Sequence, residues 1–377
     1  SLQLVRITGG DLNINGGSGR VEISGKMNAS DNVSITAGDL DIRTATAALE
    51  VVGNVTIADQ SIGGSGIGLG VLQSGKLNLG TSEMQAITAA NLILQSDNGV
   101  TLVGDLNAAD VTTSLIIAAN TFDMTKSPNA IIELGADLDF ADTAVTANDA
   151  LSVSLAIAGD FAMNGVMTSS GTVTVDAGTG VTMGAPSRIA TTNKAIKMTA
   201  TTGDVSLGLL DAGTAAVDIT ATEGSILNNN GIFVNVTKAL VNIKAGSVTL
   251  NAANRIGVSN SDAITLDIDP SSSIDLTFGA EFAYINNRKN TTVINNSAGE
   301  VVDGLTFSKG VISLVQNIGS DTHEPQLNEG VYTTLLSDDS PISVLGADFE
   351  NLSGEDDEDS IVSTIIPSVP VLVKGTD

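Results

Sequence analysis

The sequence predicts an all-β protein: a parallel β-helix over residues 1–319, clearest in 1–285, followed by an irregular C-terminal tail with some β-structure. Three observations support this prediction. Short stretches alternate polar and apolar residues, these stretches recur about every 22 residues, and no window carries a sustained helical apolar pattern. A sandwich would space its strands about 8–12 residues apart without such a super-period, and a propeller would need blades of about 40 residues. The spacing therefore favours the β-helix.

Each predicted strand comes from a four-residue unit in which polar and apolar side chains alternate. Such alternation buries one face of a short strand, while Gly, Asn, Asp and Ser in the gaps supply the turns. The first apolar residues recur at 12, 33, 55, 77 and 100, and again at 132, 153, 173, 196, 217, 241 and 264. The shift between 100 and 132 predicts an inserted loop near 126–129. The units lie at 11–14, 32–35, 54–57, 76–79, 99–102, 172–175, 195–198, 204–207, 216–219 and 247–250.

The composition excludes several classes of function. Acidic residues outnumber basic ones 43 to 16, a net charge of −27 that repels nucleic acid and anionic membranes. Cysteine is absent and His323 is the only histidine, which excludes disulfides, thiolate nucleophiles and histidine metal clusters. No stretch approaches about 18 apolar residues, and the start resembles no leader peptide. We therefore expect a mature, soluble protein with no cofactor, no nucleic-acid partner and no membrane insertion.

The segment 320–377 differs in composition and is predicted to be a separate cap or inter-subunit segment. It holds 13 acidic residues against one basic residue, and four of the seven prolines. An acidic run at 355–359 precedes a strand candidate at 360–366. This strand would either cap the chain's own last coil or pair with another subunit. In the second case the contact residues would be Ile361, Val362, Ile365 and Ile366.

Three segments of the second half resemble a known family. Gly-Asp-Val-Ser-Leu begins at Gly203, Gly-Ser-Ile-Leu-Asn-Asn-Asn at Gly224, and Ser-Val-Thr-Leu-Asn at Ser247. These blocks are similar to the repeats of filamentous-haemagglutinin-like exoproteins of bacterial surfaces. The resemblance is sharp over 203–257 and covers 1–285 in style. It implies a right-handed parallel β-helix exported to the cell surface and used for adhesion or as a stalk. The family's Asn-Pro-Asn-Gly secretion motif is missing, so two-partner secretion is not supported.

Paired acidic residues are the strongest candidates for chemistry on the predicted strands. Residues i and i+2 share a face of a strand, so each pair is predicted to lie on the outer surface. Carboxylate catalysis on sugars needs one raised pKa, and sugar sites usually add aromatic platforms, which are scarce here. We therefore interpret the pairs as solvated surface, with calcium as an alternative ligand, although the calcium-binding Gly-Gly-x-Gly-x-Asp nonapeptide does not recur. The pairs are Asp39 with Asp41, Asp137 with Asp139, and Asp267 with Asp269.

Two further motifs are interpreted as structural. The glycine-rich stretch 63–70 lacks the following helix that phosphate binding requires, so it is predicted to be a flexible corner. His323-Glu-Pro lacks the second histidine of a zinc protease motif.

The sequence therefore predicts a non-enzymatic extracellular structural protein on a bacterial surface or in a biofilm matrix. It would be a filament subunit or an adhesin stalk, polymerising head-to-tail through its C-terminal strand with copies of itself as partners. The alternative is a tailspike-like or secreted protein that binds or hydrolyses polysaccharide, with host or surface glycans as partners.

Overall fold

The computed structural model describes residues 5–7, 10–43, 48–59, 66–127, 129–141, 143–148, 150–231, 240–259, 262–268, 273–278, 283–287, 293–296 and 314–315. These residues form 37 short strands and one helix of five residues. The chain divides into two compact units, Ser1–Lys194 and Ala195–Asp377, and each is described by itself. No helix in the described ranges is long and apolar enough to cross a membrane.

The first unit contains 25 strands and the helix within the described ranges. In chain order they are β1 (Val5–Ile7), β2 (Leu12–Asn15), β3 (Arg20–Ile23), β4 (Lys26–Ala29), β5 (Val33–Ala37), β6 (Asp39–Ile42), β7 (Ala48–Val51), β8 (Val55–Asp59), β9 (Ile67–Gly70), β10 (Leu77–Leu79), α1 (Thr81–Gln85), β11 (Ile87–Thr88), β12 (Asn91–Ser96), β13 (Val100–Val103), β14 (Leu106–Ala108), β15 (Ser114–Ala119), β16 (Thr121–Asp123), β17 (Asn129–Leu134), β18 (Leu138–Phe140), β19 (Ala144–Ala147), β20 (Ser152–Ile157), β21 (Phe161–Met163), β22 (Val166–Ser169), β23 (Thr172–Ala177), β24 (Val181–Met183) and β25 (Arg188–Thr191).

These strands stack into parallel sheets, and apart from β10 each coil contributes one strand to a sheet. Sheet 1 has the order β2-β5-β8-β12-β15-β18-β21-β24, sheet 2 the order β10-β9-β13-β16-β19-β22-β25, and sheet 3 the order β14-β17-β20-β23. The first coils instead use sheet 4, β1-β4-β7-β11, and sheet 5, β3-β6. A typical coil runs from β15 through β16 and β17 back to β18, so that Leu115 pairs with Leu138, 23 residues later. The predicted parallel β-helix is confirmed.

The second unit has the same construction. Its described strands are β26 (Ile196–Ala200), β27 (Val205–Leu207), β28 (Leu209–Asp211), β29 (Ala216–Ala221), β30 (Ile226–Asn228), β31 (Ile243–Ala245), β32 (Ser247–Ala252), β33 (Ile264–Ile268), β34 (Ser273–Phe278), β35 (Ile285–Asn287), β36 (Val293–Asn296) and β37 (Leu314–Val315). They form parallel sheets in the orders β27-β30, β28-β31-β33-β35 and β26-β29-β32-β34-β36-β37. The predicted domain boundary at residue 320 lies outside the described residues.

The core consists of aliphatic ladders that follow from the alternation in the sequence. In sheet 1, Val33 stacks on Val55 and Ile35 on Ile57, and all four side chains are fully buried. Removing apolar surface from water is the main force that holds such coils together. The predicted inward positions at 33 and 55 are therefore confirmed, but the one at 241 is wrong: Val241 is half-buried outside the strands, and the buried strand begins at Ile243 instead.

Three phenylalanines extend the ladders as an aromatic stack inside the first unit. The ring centroids of Phe122 and Phe140 lie 5.3 Å apart, and those of Phe140 and Phe161 lie 6.1 Å apart with edge-to-face geometry. Each of the three side chains is at most 1 % exposed. These rings fill the core and provide no platform on the outer surface.

The predicted position of the inserted loop is wrong. Of this stretch the structure describes residues 126, 127 and 129, and they lie in the coil between Leu115 and Leu138, which pair at an ordinary separation of 23 residues. In sheet 1 the unusually large sequence separation between paired residues comes earlier: Val55 pairs with Leu92, which lies 37 residues later in the chain. The unit at 76–79 resembles another coil in the sequence, but it forms β10, an additional strand of sheet 2 beside β9. Strand alternation alone could not distinguish a new coil from an extra strand in the same coil.

The second unit also contains one large sequence separation between paired residues: Val217 pairs with Val248, which lies 31 residues later in the chain. Between these two residues in the chain, the side chain of Asn242 is fully buried. It donates hydrogen bonds to the Leu207 carbonyl at 3.0 Å and to the Asn228 Oδ1 at 2.9 Å. The backbone N–H of Thr265 donates to its Oδ1 at 2.9 Å. Asn242 thus satisfies the backbone groups that a regular coil would have paired.

Candidate functional site

Residues 71–78, which connect β9 to the extra strand β10 and include its start, form a hairpin-shaped loop over the outer face of sheet 2, although β9 and β10 themselves are parallel. We call this segment the hairpin. The chain leaves β9 and re-enters the sheet in the same direction at Leu77. On the way, the Gln73 Nε2 donates to the carbonyls of Leu69 at 3.3 Å and Thr101 at 2.9 Å. A Cβ at Gly68 would lie within 3 Å of the side chains of Gln73 and Asn78. Glycine at position 68 therefore allows the hairpin to pack directly on the strand.

Between this hairpin and the neighbouring corner lies an open groove of about 450 Å³, which we call the hairpin groove. The corner contributes Asp39 and Asp59, and the hairpin contributes Leu72, Lys76 and Asn78. Leu72 is 82 % exposed. The groove therefore combines two carboxylates, an ammonium group and an amide with one exposed apolar side chain at its rim.

Lys76 is the cation of the hairpin groove. Its Nζ donates to the Thr101 Oγ1 at 3.0 Å, and the Thr101 side chain is buried beneath the hairpin. Desolvation lowers the pKa of the Lys76 ammonium, repulsion from Lys126 lowers it further, and Asp123 and Asp59 offset part of this effect. Asp59 also accepts a hydrogen bond from the Asn98 Nδ2 at 3.2 Å. The groove is therefore held by contacts to the next coil, which contains both Asn98 and Thr101.

Next to the groove, β3 and β6 present a charged ladder on the outer surface. Arg20 contacts Asp39, with an Nε to Oδ2 distance of 3.8 Å, and also bonds to Asp41. Arg43 pairs with Glu22 at 2.8 Å and approaches Asp41 at 4.0 Å. Asp39 and Asp41 share the outer face, as predicted, and Leu40 between them is buried. They are engaged in ion pairs, however, so the prediction that they are simply solvated is corrected.

The Glu83 carboxylate hydrogen-bonds to the outer edge of β6, which is the last strand of sheet 5. Its Oε1 accepts from the backbone N–H of Ile42 at 3.2 Å, and its Oε2 accepts from the N–H of Gly80 at 2.8 Å. Burial raises the pKa of the Glu83 carboxyl, the two backbone hydrogen bonds counteract this, and Asp41 and Asp39 raise the pKa further. The carboxylate thus replaces a missing strand as hydrogen-bond partner of β6.

Asparagine and aspartate side chains form a second ladder in the turns that directly precede the strands of sheet 1, and we call it the corner ladder. Asn32 donates to the Asp11 Oδ1 at 3.0 Å, and its own Oδ1 accepts from the N–H of Asn54 at 2.9 Å. Further along, the Asp137 Oδ1 accepts from the N–H of Asp160 at 2.8 Å. Each side chain therefore bonds to the next coil at the same position of the turn.

The remaining predicted site residues are dispersed. Asp137 is exposed and belongs to the corner ladder, whereas Asp139 and Asp267 are half-buried on outer faces. Residues 67–70 of the glycine-rich stretch form β9, so the predicted flexible corner is wrong for that half. No group of three or more His, Asp or Glu residues in the described ranges is placed to hold a metal ion. The residues that lie outside the described ranges are Gly63, Asp269, His323, Ile361, Val362, Ile365 and Ile366.

The hairpin groove was not predicted from the sequence. The sequence feature that marks it is the stretch from Val71 to Gly75, which breaks the strand alternation. In the structure its two apolar residues are exposed and its glycine has a positive φ. Comparisons with protein-family models, with curated proteins and with solved structures return no match for this chain.

Proposed function

We propose that this protein is a non-enzymatic extracellular structural protein, a filament subunit or adhesin stalk of a bacterial surface or matrix. The observation that carries the proposal is the division of side chains in each coil. Fully buried aliphatic ladders lie inside, and small polar or charged residues lie outside. Such coils gain stability by stacking on their neighbours, which suits a protein whose role is to extend and to bear load.

The outer surface supports the same proposal. Several of its charged groups form ion pairs within the fold: Arg20 and Arg43 hold β3 to β6, and Lys26 pairs with Glu50 at 2.5 Å between β4 and β7. The corner ladder likewise ties each coil to the next. A net charge of −27 keeps such a surface from associating non-specifically.

Electron microscopy of the purified full-length chain tests the proposal, together with immunogold labelling of intact source cells. We expect continuous fibres in negative stain and gold particles on the outside of the cells. Discrete particles at every concentration would contradict the filament role. Label found only after the cells are lysed would contradict the extracellular location.

A second candidate function, polysaccharide binding, is favoured by the hairpin groove. Carboxylates, amides and an ammonium group can bond to sugar hydroxyls, and Leu72 could cover a C–H face of a sugar ring. A panel of neutral and acidic oligosaccharides, tested by calorimetry, would examine this function. Binding that is lost in Asp59→Asn and retained in Asp176→Asn, an exposed residue on β23, would favour it. Absence of binding across the panel would exclude these sugars as ligands.

A further inference from the structure

The amide donors of the hairpin are used within the hairpin and on the strands beneath it. The two N–H groups of the Asn78 amide donate to the carbonyls of Gln73 at 2.9 Å and Lys76 at 2.8 Å. The Gln73 Nε2 likewise donates to two carbonyls, those of Leu69 and Thr101. A side-chain amide has two N–H donors, so neither side chain has a donor left for a ligand.

Acceptors, in contrast, are plentiful in the hairpin groove. The half-buried carboxylates of Asp39 and Asp59 both line it, and each can accept several hydrogen bonds. Asp39 contacts Arg20, but this cation is shared with Asp41. Gln73 also lines the groove, and its Oε1 is buried without a hydrogen-bond partner. The groove therefore suits a ligand that brings donors of its own.

The charges around the groove favour a cationic ligand. Among the described residues that line it, two carboxylates face one ammonium group, that of Lys76. The Lys76 Nζ already donates to the Thr101 Oγ1 at 3.0 Å. Beyond the lining lie two basic and two acidic neighbours, whose charges cancel: Arg20 and Lys126, Asp41 and Asp123. A positive ligand is attracted by this local excess of one negative charge and by the net charge of −27.

The exposed side chain at the rim indicates that the cation is organic. Leu72 is 82 % exposed, and a hydrated metal ion would make no use of it. Moreover, no three acidic or histidine side chains in the described ranges come together to hold a metal ion. A volume of about 450 Å³ lies in the usual range of small-molecule sites, which combine apolar contacts with a few polar groups. A sugar ring that carries an amine offers both, through its C–H faces and its N–H and O–H donors.

We propose that the hairpin groove binds amino sugars, the hexosamine units of a polysaccharide whose amines are free and protonated. The sugar ammonium group lies against Asp59 and Asp39, the hydroxyl groups donate to the remaining carboxylate oxygens, and Leu72 covers a C–H face of the ring. This inference rests on the second candidate function, polysaccharide binding, for which it names the class of sugar. The filament role does not depend on it.

Calorimetry of the full-length chain with tetrasaccharides of equal length tests the proposal. The probes are a glucosamine tetramer, its fully N-acetylated form, which is neutral, and a galacturonate tetramer, which is anionic. The pH is mildly acidic, so that the sugar amines are protonated and the aspartates remain ionised. The glucosamine tetramer should bind at least about tenfold more tightly than the N-acetylated one, because acetylation removes a charge-assisted hydrogen bond. The galacturonate tetramer should not bind.

Two substitutions with opposite expected effects separate binding from folding. Asp59→Asn should weaken binding of the glucosamine tetramer at least about tenfold, whereas Lys76→Gln should strengthen it, because a repelling charge is removed. A merely loosened hairpin would weaken binding in both variants. Asp176→Asn, on the exposed face of β23, is the matched control and should bind as the wild type does. Circular dichroism should show that all variants are folded.

Three results would overturn the proposal in distinguishable ways. Equal affinity for the free and N-acetylated tetramers, lost in Asp59→Asn, would refute the preference for amino sugars while polysaccharide binding stands. Absence of binding by all probes would refute both. Tetralysine bound as tightly as the glucosamine tetramer, and equally sensitive to Asp59→Asn, would show a site for any organic cation and refute the assignment to sugars.

Discussion

The backbone N–H of Asn54 donates a hydrogen bond to the Oδ1 of Asn32 at 2.9 Å, although 22 residues separate the two. Asn32 in turn donates to Asp11 in the preceding coil. A polar residue at the turn therefore does more than reverse the chain, because its side chain joins three consecutive coils.

Replacing Asn32 by alanine should lower the free energy of unfolding by about 1–2 kcal/mol, since two side-chain hydrogen bonds between coils are lost. Denaturation in urea measures this change. Asn13→Ala is the control, because Asn13 is exposed on β2, and it should change stability by less than about 0.5 kcal/mol. Equal effects of the two substitutions would show that the corner ladder does not stabilise the stack.

Val55→Asp should destabilise the first unit severely. Val55 is fully buried between Val33 and Leu92, so an aspartate there would cost several kcal/mol for an unpaired charge and would disrupt both neighbours. Thermal unfolding followed by circular dichroism gives the result. Asp176→Ser, on the exposed face of β23, should leave the melting temperature nearly unchanged. Similar melting temperatures would refute the assignment of inner and outer faces.

Glu83→Gln should alter the dependence of stability on pH. Because burial raises the pKa of the Glu83 carboxyl above its ordinary value of 4.5, the folded chain binds this proton more tightly than the unfolded chain does. The resulting stabilisation is fully present below the ordinary value and is lost as the pH rises through the raised one. Glutamine does not titrate, so the stability of the variant relative to the wild type should increase as the pH rises from below 4.5 through the raised pKa of Glu83.

Urea denaturation at a series of pH values measures this difference, with Glu133→Gln on the outer face of β17 giving the background effect of removing one carboxylate. A gap between wild type and Glu83→Gln that widens in favour of the wild type as the pH rises would contradict the argument.

Gln73→Ala should loosen the hairpin without unfolding the coils. Gln73 supplies two hydrogen bonds from the hairpin to sheet 2, each contributing about 1 kcal/mol. Hydrogen exchange followed by mass spectrometry should become faster in peptides that contain residues 71–78 and stay unchanged in those of β15 and β18. Gln85→Ala, exposed at the end of α1, serves as the control. Unchanged exchange in the hairpin would mean that other contacts hold it in place.

The alternation of side chains made most of the coil architecture predictable. Val33 and Ile35, like Val55 and Ile57, have no alternative to the interior once a strand forms, because a shift by one residue would bury their polar neighbours. The aspartate pair at 39 and 41 was placed on the correct face for the same reason.

The hairpin groove and the ion pairs could not be predicted in this way. They depend on which coil a strand joins, and the unit at 76–79 has the same pattern as a strand that opens a new coil. Likewise, the ion pairs of Asp41 and the backbone partners of Glu83 follow from the register between coils. This register places Arg20 opposite Asp39, two residues from Asp41, and α1 beside β6. A periodic pattern fixes inner and outer faces, but it does not fix the stacking order where the period is broken.

Diffraction from oriented fibres of the assembled full-length chain tests the central claim most directly. If each subunit continues the parallel stack of the one before it, a strong reflection near 4.8 Å should lie along the fibre axis, since this is the spacing of hydrogen-bonded strands. The reflection should be lost together with the fibres in Val55→Asp, which disrupts the stacked core, and kept in Asp176→Ser. Fibres of the wild type without this axial reflection, or fibres of Val55→Asp that keep it unchanged, would contradict the account.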